Sequence, residues 1–434
     1  MDRDQDMIWD GGRGDTGTRG NCLLPIAYCL LPIAYSPPIT IFRGDRFMNP
    51  AERIGGLLSE SAFEVLGKAK ALEAQGRDII HLEIGQPDFP TPSHICQAAT
   101  EAIAQGYTGY SLTLGLPELR EAIAAQVSET RKIQVGGDRI IVTPGAKPLL
   151  FFGILAVVNP GDEVIYPDPG FPTYRSVIQF AQGRPIPLPL VEEREFSFRI
   201  EDLEGLISDK TKLLILNSPH NPTGGFLPLA DLEAIAYLAI KHNFYILADE
   251  IYSRLLYDHP HYSLLSLPGM EDRTLLVDGF SKTYSMTGWR LGYGVMPQHL
   301  ISALELLMLN SNSCTCTFIQ KAGIAALQGS QESVQEMAKS FQHRRELLVA
   351  GLNQISGIHC LTPPGAFYAF PNIKELPLNS QALADYLLNQ AGVALLPGTA
   401  FGNYGEGYLR LSYATSLEQL QRALERIREA VAAL

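Results

Sequence analysis

Leu213-Leu214-Ile215-Leu216 runs into Asn217-Ser218-Pro219-His220-Asn221-Pro222-Thr223-Gly224. A helical stretch over Leu229–His242 follows, and then Tyr245-Ile246-Leu247-Ala248 runs into Asp249-Glu250-Ile251-Tyr252. The two short apolar runs read as strands buried on both faces, and the segment between them has the length and period of a helix. A strand, a crossover helix and a second strand form the unit from which parallel sheets are built. Working outward, further strands are expected near Arg139–Thr143, Glu163–Tyr166 and Thr274–Asp278, with the first two runs covering Lys212–Leu216 and Phe244–Ala248. The expected fold class is therefore α/β, with a mostly parallel sheet covered by helices on both faces. Glu52 to Gln75 reads as one helix ending at Gly76, and Ile79 to Ile84 as a short strand before the proline-rigid loop Gly85-Gln86-Pro87-Asp88-Phe89-Pro90. Beyond Ile301 the helices lengthen. A Gly/Pro-rich piece with short strands comes next, and an amphipathic helix over Leu417–Ala433 closes the chain. The division expected is a large domain over 95–330 and a smaller α+β domain built from 48–94 and 331–434.

With 434 residues, 46% hydrophobic and 18% charged, the chain has the composition of a globular protein of two or three domains. Its net charge of -12 argues against a nucleic-acid-binding surface. The cysteines at 22, 29, 96, 314, 316 and 360 form no CxxC pair and no Cys/His ligand spacing. No metal site is expected, and reduced thiols fit a cytoplasmic protein. Residues 1–47 stand apart. They repeat Leu-Leu-Pro-Ile-Ala-Tyr at 23–28 and 30–35, and Pro25, Pro32, Pro37 and Pro38 interrupt an apolar run that would otherwise approach membrane-spanning length. The reading is an extension outside the enzyme, upstream of an initiator at Met48, with no membrane span.

Ligands of open α/β sheets bind beyond the carboxyl ends of the strands. The first run above delivers Asn221 there, and the second delivers Asp249 and Tyr252. A third, Arg273-Thr274-Leu275-Leu276-Val277, emerges into Gly279-Phe280-Ser281-Lys282-Thr283-Tyr284-Ser285-Met286-Thr287-Gly288-Trp289-Arg290-Leu291-Gly292. A lysine amine forms a Schiff base with a carbonyl, and pyridoxal phosphate is the commonest carbonyl cofactor held that way. Eight positions on, Arg290 offers a planar fork of donors suited to a phosphate or carboxylate. This stretch resembles the lysine-attachment signature of the class I/II, fold type I aminotransferases. The order Asn221, Asp249-x-x-Tyr252, Lys282, Arg290 is similar to theirs, and the resemblance runs from about Glu52 to the C-terminus.

The resemblance implies pyridoxal 5'-phosphate as cofactor and Lys282 as its anchor and general base. Asp249 would face the pyridine nitrogen, while Asn221 and Tyr252 donate to the phenolate oxygen. The phosphate needs a helix N-terminus and positive charge. Thr143-Pro144-Gly145-Ala146-Lys147-Pro148 opens an apolar helix, so the N–H groups of Ala146 and Lys147 and the side chain of Arg290 are expected there. Phe171, in Pro167-Asp168-Pro169-Gly170-Phe171-Pro172-Thr173-Tyr174, aligns with the family's ring-stacking position. Tyr110 aligns with a tyrosine that reaches the phosphate of a partner subunit, which implies a homodimer with active sites at the interface. One departure is Gly279, where many relatives carry a serine; Ser281 is the nearby hydroxyl.

On the substrate side, Arg410 in Gly407-Tyr408-Leu409-Arg410-Leu411-Ser412 is a charge in an apolar strand, costly unless paired. By resemblance it binds the α-carboxylate of an amino acid, helped by Asn221 and the N–H of Gly85. Pro364–Tyr368 and Leu396–Gly402 are similar to family segments at the site entrance. Lys147 matches a lysine that binds the side-chain carboxylate in one subgroup of aspartate aminotransferases, which favours aspartate and glutamate; the alternative is a lysine that only neutralises phosphate or faces solvent. The expected reaction is ping-pong transfer of an α-amino group to a 2-oxo acid. Rivals are the same scaffold acting on alanine, branched or aromatic amino acids, a β-lyase, and a cofactor-sensing regulator, for which 1–47 supplies no basic helix-turn-helix.

Overall fold

A computed structural model of the chain describes residues 50–434, so the extension assigned to 1–47 lies outside the described residues. Helix α1 (Ser61–Glu73) leads to the two-residue strand β1 (Ile80–His81). The large sheet follows with β2 (Ile140–Thr143), β3 (Glu163–Asp168), β4 (Arg184–Pro189), β5 (Thr211–Asn217), β6 (Tyr245–Asp249), β7 (Thr274–Gly279) and β8 (Gly292–Val295). Its strand order is β2-β8-β7-β6-β5-β3-β4, parallel throughout except for β8, which runs antiparallel to both neighbours. The later strands are β9 (Tyr368–Ala369), β10 (Val393–Ala394), β11 (Leu396–Pro397) and β12 (Leu409–Ser412). They form a three-stranded antiparallel sheet, β11-β12-β9, and a parallel pair between β10 and β1.

The α/β class read from the sequence is the one observed, and all five expected central strands are present. Residues Leu213, Leu214 and Ile215 of β5 are fully buried, as are Ile246 and Leu247 of β6. Each such side chain contributes roughly 1.5–3 kcal/mol by leaving water. One face of the sheet packs under the helix Lys147–Val157 through Leu149, Ile154, Leu213, Leu247 and Leu275; the other packs under Leu229–His242 through Leu214, Ile235, Ala239 and Ile246. A separate apolar cluster centres on Phe341, Phe367, Tyr413, Leu420 and Ile427, and takes in Ile80 and Leu82 from the N-terminal side. The closing helix spans Leu417–Ala432, capped by Ser416, whose hydroxyl accepts from the Gln419 N–H at 3.2 Å.

The structure corrects three readings. The single helix expected over 52–75 is a 3-10 turn (Glu52–Gly56) and α1, separated by an extended break at Leu57–Glu60. The break is pinned by the Leu58 N–H donating to Ser176 Oγ at 3.0 Å, a contact between residues remote in the sequence. Strand β1 is shorter than 79–84 because its partner β10 has only two residues. Strands β4 and β8 were not among those expected; in β4, Pro185, Pro187 and Pro189 lack N–H donors. Strand β4 occupies an edge of the sheet, where that loss is tolerated.

The carboxyl ends of β6 and β7 are held by a buried polar cluster. Arg131, whose side chain is 1% exposed, donates from Nε to Glu250 at 3.1 Å and from Nη2 to Asp278 at 2.6 Å. Ser263 and His261 satisfy the rest of Glu250, and the Tyr293 hydroxyl donates to Asp278 at 3.1 Å. Glu250 follows Asp249 directly, and Asp278 precedes Lys282 by four residues, so this cluster fixes where both emerge. Arg131→Met would strand two buried carboxylates and is expected to cost about 3–5 kcal/mol of unfolding free energy. Denaturant unfolding measures it; a loss below about 1 kcal/mol would contradict this role.

Candidate active site

A cavity of about 710 Å³ opens beyond the carboxyl ends of β5, β6 and β7. Its size suits a cofactor together with a small substrate. It gathers every residue named from the sequence except Tyr110. Tyr110 is 93% exposed and lies apart from the cavity of its own chain.

Asp249 ends β6 at the cavity floor and is buried. It accepts from the Tyr174 hydroxyl at 2.8 Å and from the Ile251 N–H at 3.3 Å. Burial pushes its carboxyl up to about 6, against the lowering effect of the Tyr174 hydrogen bond. Tyr174 meets Phe171 edge-on with ring centres 5.8 Å apart, so Phe171, Tyr174 and Asp249 form one wall. Asn221 is positioned through Asn217, whose Oδ1 accepts from the Asn221 N–H at 2.9 Å and whose Nδ2 donates to the Asp249 carbonyl at 2.9 Å. Tyr252 shares a hydroxyl–hydroxyl hydrogen bond of 2.7 Å with Tyr368.

Lys282 sits in the one-turn helix Phe280–Thr283 after β7. Its Nζ donates to the Gly85 carbonyl at 2.5 Å and lies 5.9 Å and 5.7 Å from the ring centres of Tyr252 and Phe367. Burial, with further help from the positive charges of Arg410 and Arg290, lowers its ammonium to about 8. A good fraction of the amine is therefore neutral near physiological pH, the state a nucleophile requires.

The helix Lys147–Val157 starts at the cavity with Ala146 as its N-cap, and its first backbone N–H groups have no intrahelical partners. Arg290 approaches closely enough that a Cβ on Gly145 would collide with its guanidinium. Ser285 and Arg290 both hold left-handed backbone conformations, φ 52° and 55°, at about 1–2 kcal/mol each for L-residues. Strain of that kind collects where geometry serves a ligand. The glycine at 279 also has a steric reason. In the β7–β8 pair it lies opposite Gly292, and an added Cβ would stand 3.0 Å from the Gly292 Cα. A Cβ on Gly292 would in turn strike the backbone of Gly145 and Ala146. A side chain at 279 would therefore press on the Gly292 backbone, which packs in turn on Gly145 and Ala146, whereas Ser281 lines the cavity.

Arg410, on β12, is 4% exposed. It donates to the carbonyl of Glu83 and, at 3.4 Å, to Asn221 Oδ1, and it lies between the faces of Tyr368 and Phe401, 4.6 and 5.1 Å from their centres. Its Nε has no partner, and among the described residues no carboxylate oxygen lies within 4.0 Å of the guanidinium. Lys147, by contrast, is paired with Glu60 and stands 5.2 Å from the Phe171 ring centre.

Sequence reasoning missed Tyr174, Tyr368 and Glu60 as parts of the site. The first two lie within stretches already singled out, Pro167–Tyr174 and Pro364–Tyr368. Glu60 carried no signal, because it fell inside an apparent helix. The lining has what pyridoxal phosphate chemistry needs: an amine with a lowered pKa, a buried carboxylate, an aromatic wall, and an open helix start beside a guanidinium too close for any Cβ at Gly145. Among the described residues no cluster of His, Cys, Asp or Glu is arranged to hold a metal, and no helix is long and apolar enough to cross a membrane.

Comparison with known proteins agrees with that chemistry. The family model of aminotransferase class I and II matches residues 77–427. The chain is 43% identical to an aspartate aminotransferase of Pyrococcus abyssi over 81% of this chain and 91% of that one. It is 40% identical to aromatic-amino-acid aminotransferase 2 of Thermococcus litoralis, over 82% and 92% of the two chains. The solved aspartate aminotransferase of Thermus thermophilus with maleate superposes with a TM-score of 0.85 at 37% identity, covering 88% of this chain and all of that one. Strand order, the lysine after β7 and relatives spanning four-fifths of its length lead to the same place: this chain belongs to the class I and II aminotransferases, a fold type I, pyridoxal-phosphate-dependent enzyme family.

Proposed function

We propose that the cavity binds pyridoxal 5'-phosphate and transfers the α-amino group of an amino acid, with aspartate and glutamate favoured, to a 2-oxo acid. The observation that carries this reading is Arg410, a buried guanidinium with no carboxylate of its own, in the same cavity as the lowered amine of Lys282. When bound, the cofactor supplies an electron sink for the charge left when the substrate's Cα–H bond breaks.

The chain's own residues divide the remaining work. Ala146, Lys147 and Arg290 hold the phosphate through N–H groups and charge, and Phe171 covers the ring. Asp249 keeps a proton on the ring nitrogen. Its buried carboxyl gains a cationic partner there, which draws its pKa back down. Asn221 and Tyr252 donate to the phenolate oxygen. Arg410, with the Gly85 N–H and Asn221, grips the α-carboxylate and so orients the Cα–H bond. Lys282 would anchor the cofactor, and its amine would take the proton from the substrate Cα. Lys147, at the mouth, meets a side-chain carboxylate. The second half of a ping-pong cycle returns the amino group to a different 2-oxo acid in the same cavity.

The same reading includes a homodimer in which the partner subunit's Tyr110 completes the phosphate site. It also includes a small lobe from 48–94 and 331–434 against a large one from 95–330, and a cytoplasmic location. The solvent-facing position of Tyr110 and the β1–β10 pairing between the two chain ends support the first two.

Two outcomes are expected. Single-turnover mixing with aspartate yields one equivalent of 2-oxo acid per site with the amino nitrogen kept on the enzyme, and Lys282→Ala lowers this rate at least about a thousandfold. Release of pyruvate from a cysteine conjugate without nitrogen retention would indicate a lyase instead. In the cofactor-free protein, capture of the aldehyde by Lys282 slows about tenfold per pH unit below about 8, as the amine takes up its proton. An inflection above pH 10 would contradict the lowered ammonium.

A further inference from the structure

We propose that Glu60 is a specificity-determining residue: it occupies Lys147 in the resting site and competes with a substrate's side-chain carboxylate for that lysine. The proposal rests on the transamination reading above and deepens it.

Glu60 is the N-cap of α1, yet its side chain makes no capping hydrogen bond. Glutamate is not among the favoured N-cap types, whose short side chains reach the first turn's N–H groups. The carboxylate turns instead into the cavity and pairs with Lys147. It reaches that position because of the extended break at Leu57–Glu60, which ends at the start of α1. The only carboxylates among the described cavity-lining residues are Glu60 and Asp249, and Asp249 is engaged at the floor by Tyr174. A second carboxylate arriving at Lys147 therefore meets Glu60. It must displace Glu60 or share the ammonium with it at the cost of like-charge repulsion. A neutral or aromatic side chain meets a closed ion pair, whose net charge is near zero, beside the ring of Phe171. The pair is partly exposed, with side chains 45% and 26% accessible, so its opening is affordable. In α1 only Ala69 is fully buried, so little apolar burial holds its first turn.

An ion pair that opens for a side-chain carboxylate and stays closed for an uncharged side chain would let one site distinguish the two. Glu60 acts through Lys147 and is a positioning residue, not a catalytic one.

The test compares the holoenzyme with Glu60→Gln, Lys147→Met and the double variant. Half-reaction kinetics with aspartate and phenylalanine are run beside calorimetric binding of maleate, a dicarboxylate, and 3-phenylpropionate, a monocarboxylate. Removing the competing charge is expected to raise the aspartate-to-phenylalanine ratio of kcat/KM about fivefold, mainly through a lower KM for aspartate. The maleate-to-phenylpropionate affinity ratio rises in parallel. Both gains vanish when Lys147→Met is already present. Ratios within twofold of the parent, or gains that persist without Lys147, would overturn the proposal. Failure of the parent to transaminate either amino acid would refute the functional reading instead, and the maleate titration would still decide the role of Glu60.

Discussion

The site is organised around a buried positive charge, Arg410, that has no carboxylate within 4.0 Å among the described residues. Arg410 lies in a short strand, covered by two aromatic faces, with a backbone carbonyl and an amide oxygen as its hydrogen-bond acceptors. An ion buried in this way costs several kcal/mol unless an anion answers it. The small sheet that carries it, β11-β12-β9, and the cluster around Phe341 and Tyr413 supply the apolar burial that offsets the cost. The charge then acts outward on the cavity. It contributes to lowering the Lys282 ammonium, and it leaves a strong receptor for a carboxylate. On the proposed function, affinity for substrate and readiness of the Lys282 amine share that one cause.

The opposite wall depends on backbone precision more than on charge. Asn221, Asp249 and Lys282 leave the ends of three adjacent parallel strands, so the register of β5, β6 and β7 sets their spacing. Arg131 holds two of those ends from below through Glu250 and Asp278. Above them, β7, β8 and the Gly145–Ala146 backbone pack closely: a Cβ on Gly292 would collide with that backbone, and one on Gly279 would press on Gly292. A rigid floor and a charged receptor are joined at the mouth by α1, which is less deeply buried. On the proposed reading, specificity is set in that softer element, by opening of the Glu60–Lys147 pair.

Much of this was legible in the sequence because it is local. Buried parallel strands read as apolar runs, and the residues at their ends are contiguous with them. Asn221, Asp249, Tyr252 and Lys282 were found that way, and all line the cavity. Arg410 was conspicuous as a lone charge among Leu409 and Leu411. What escaped depends on contacts between distant segments. The break before α1 is imposed by Ser176, more than a hundred residues away, so Glu60 was read into a helix. Strand β4 was hidden by prolines that only an edge position permits. Tyr174 and Tyr368 were given no individual role until Asp249 and Tyr252 were seen to meet their hydroxyls. Gly279 read only as a departure from the family's serine, and its close approach to Gly292 became visible with β7 and β8 paired.

The central claim is that Arg410 is kept buried and unpaired for the sake of the substrate carboxylate. Replacing it with methionine separates that purpose from stability. The account predicts that Arg410→Met leaves the Tm of the ligand-free enzyme unchanged or raised, since relieving a buried charge is often worth about 1–4 kcal/mol. It also predicts that kcat/KM for the amino substrate falls by at least about a thousandfold. A lowered Tm with kcat/KM kept within about tenfold of the parent would contradict it.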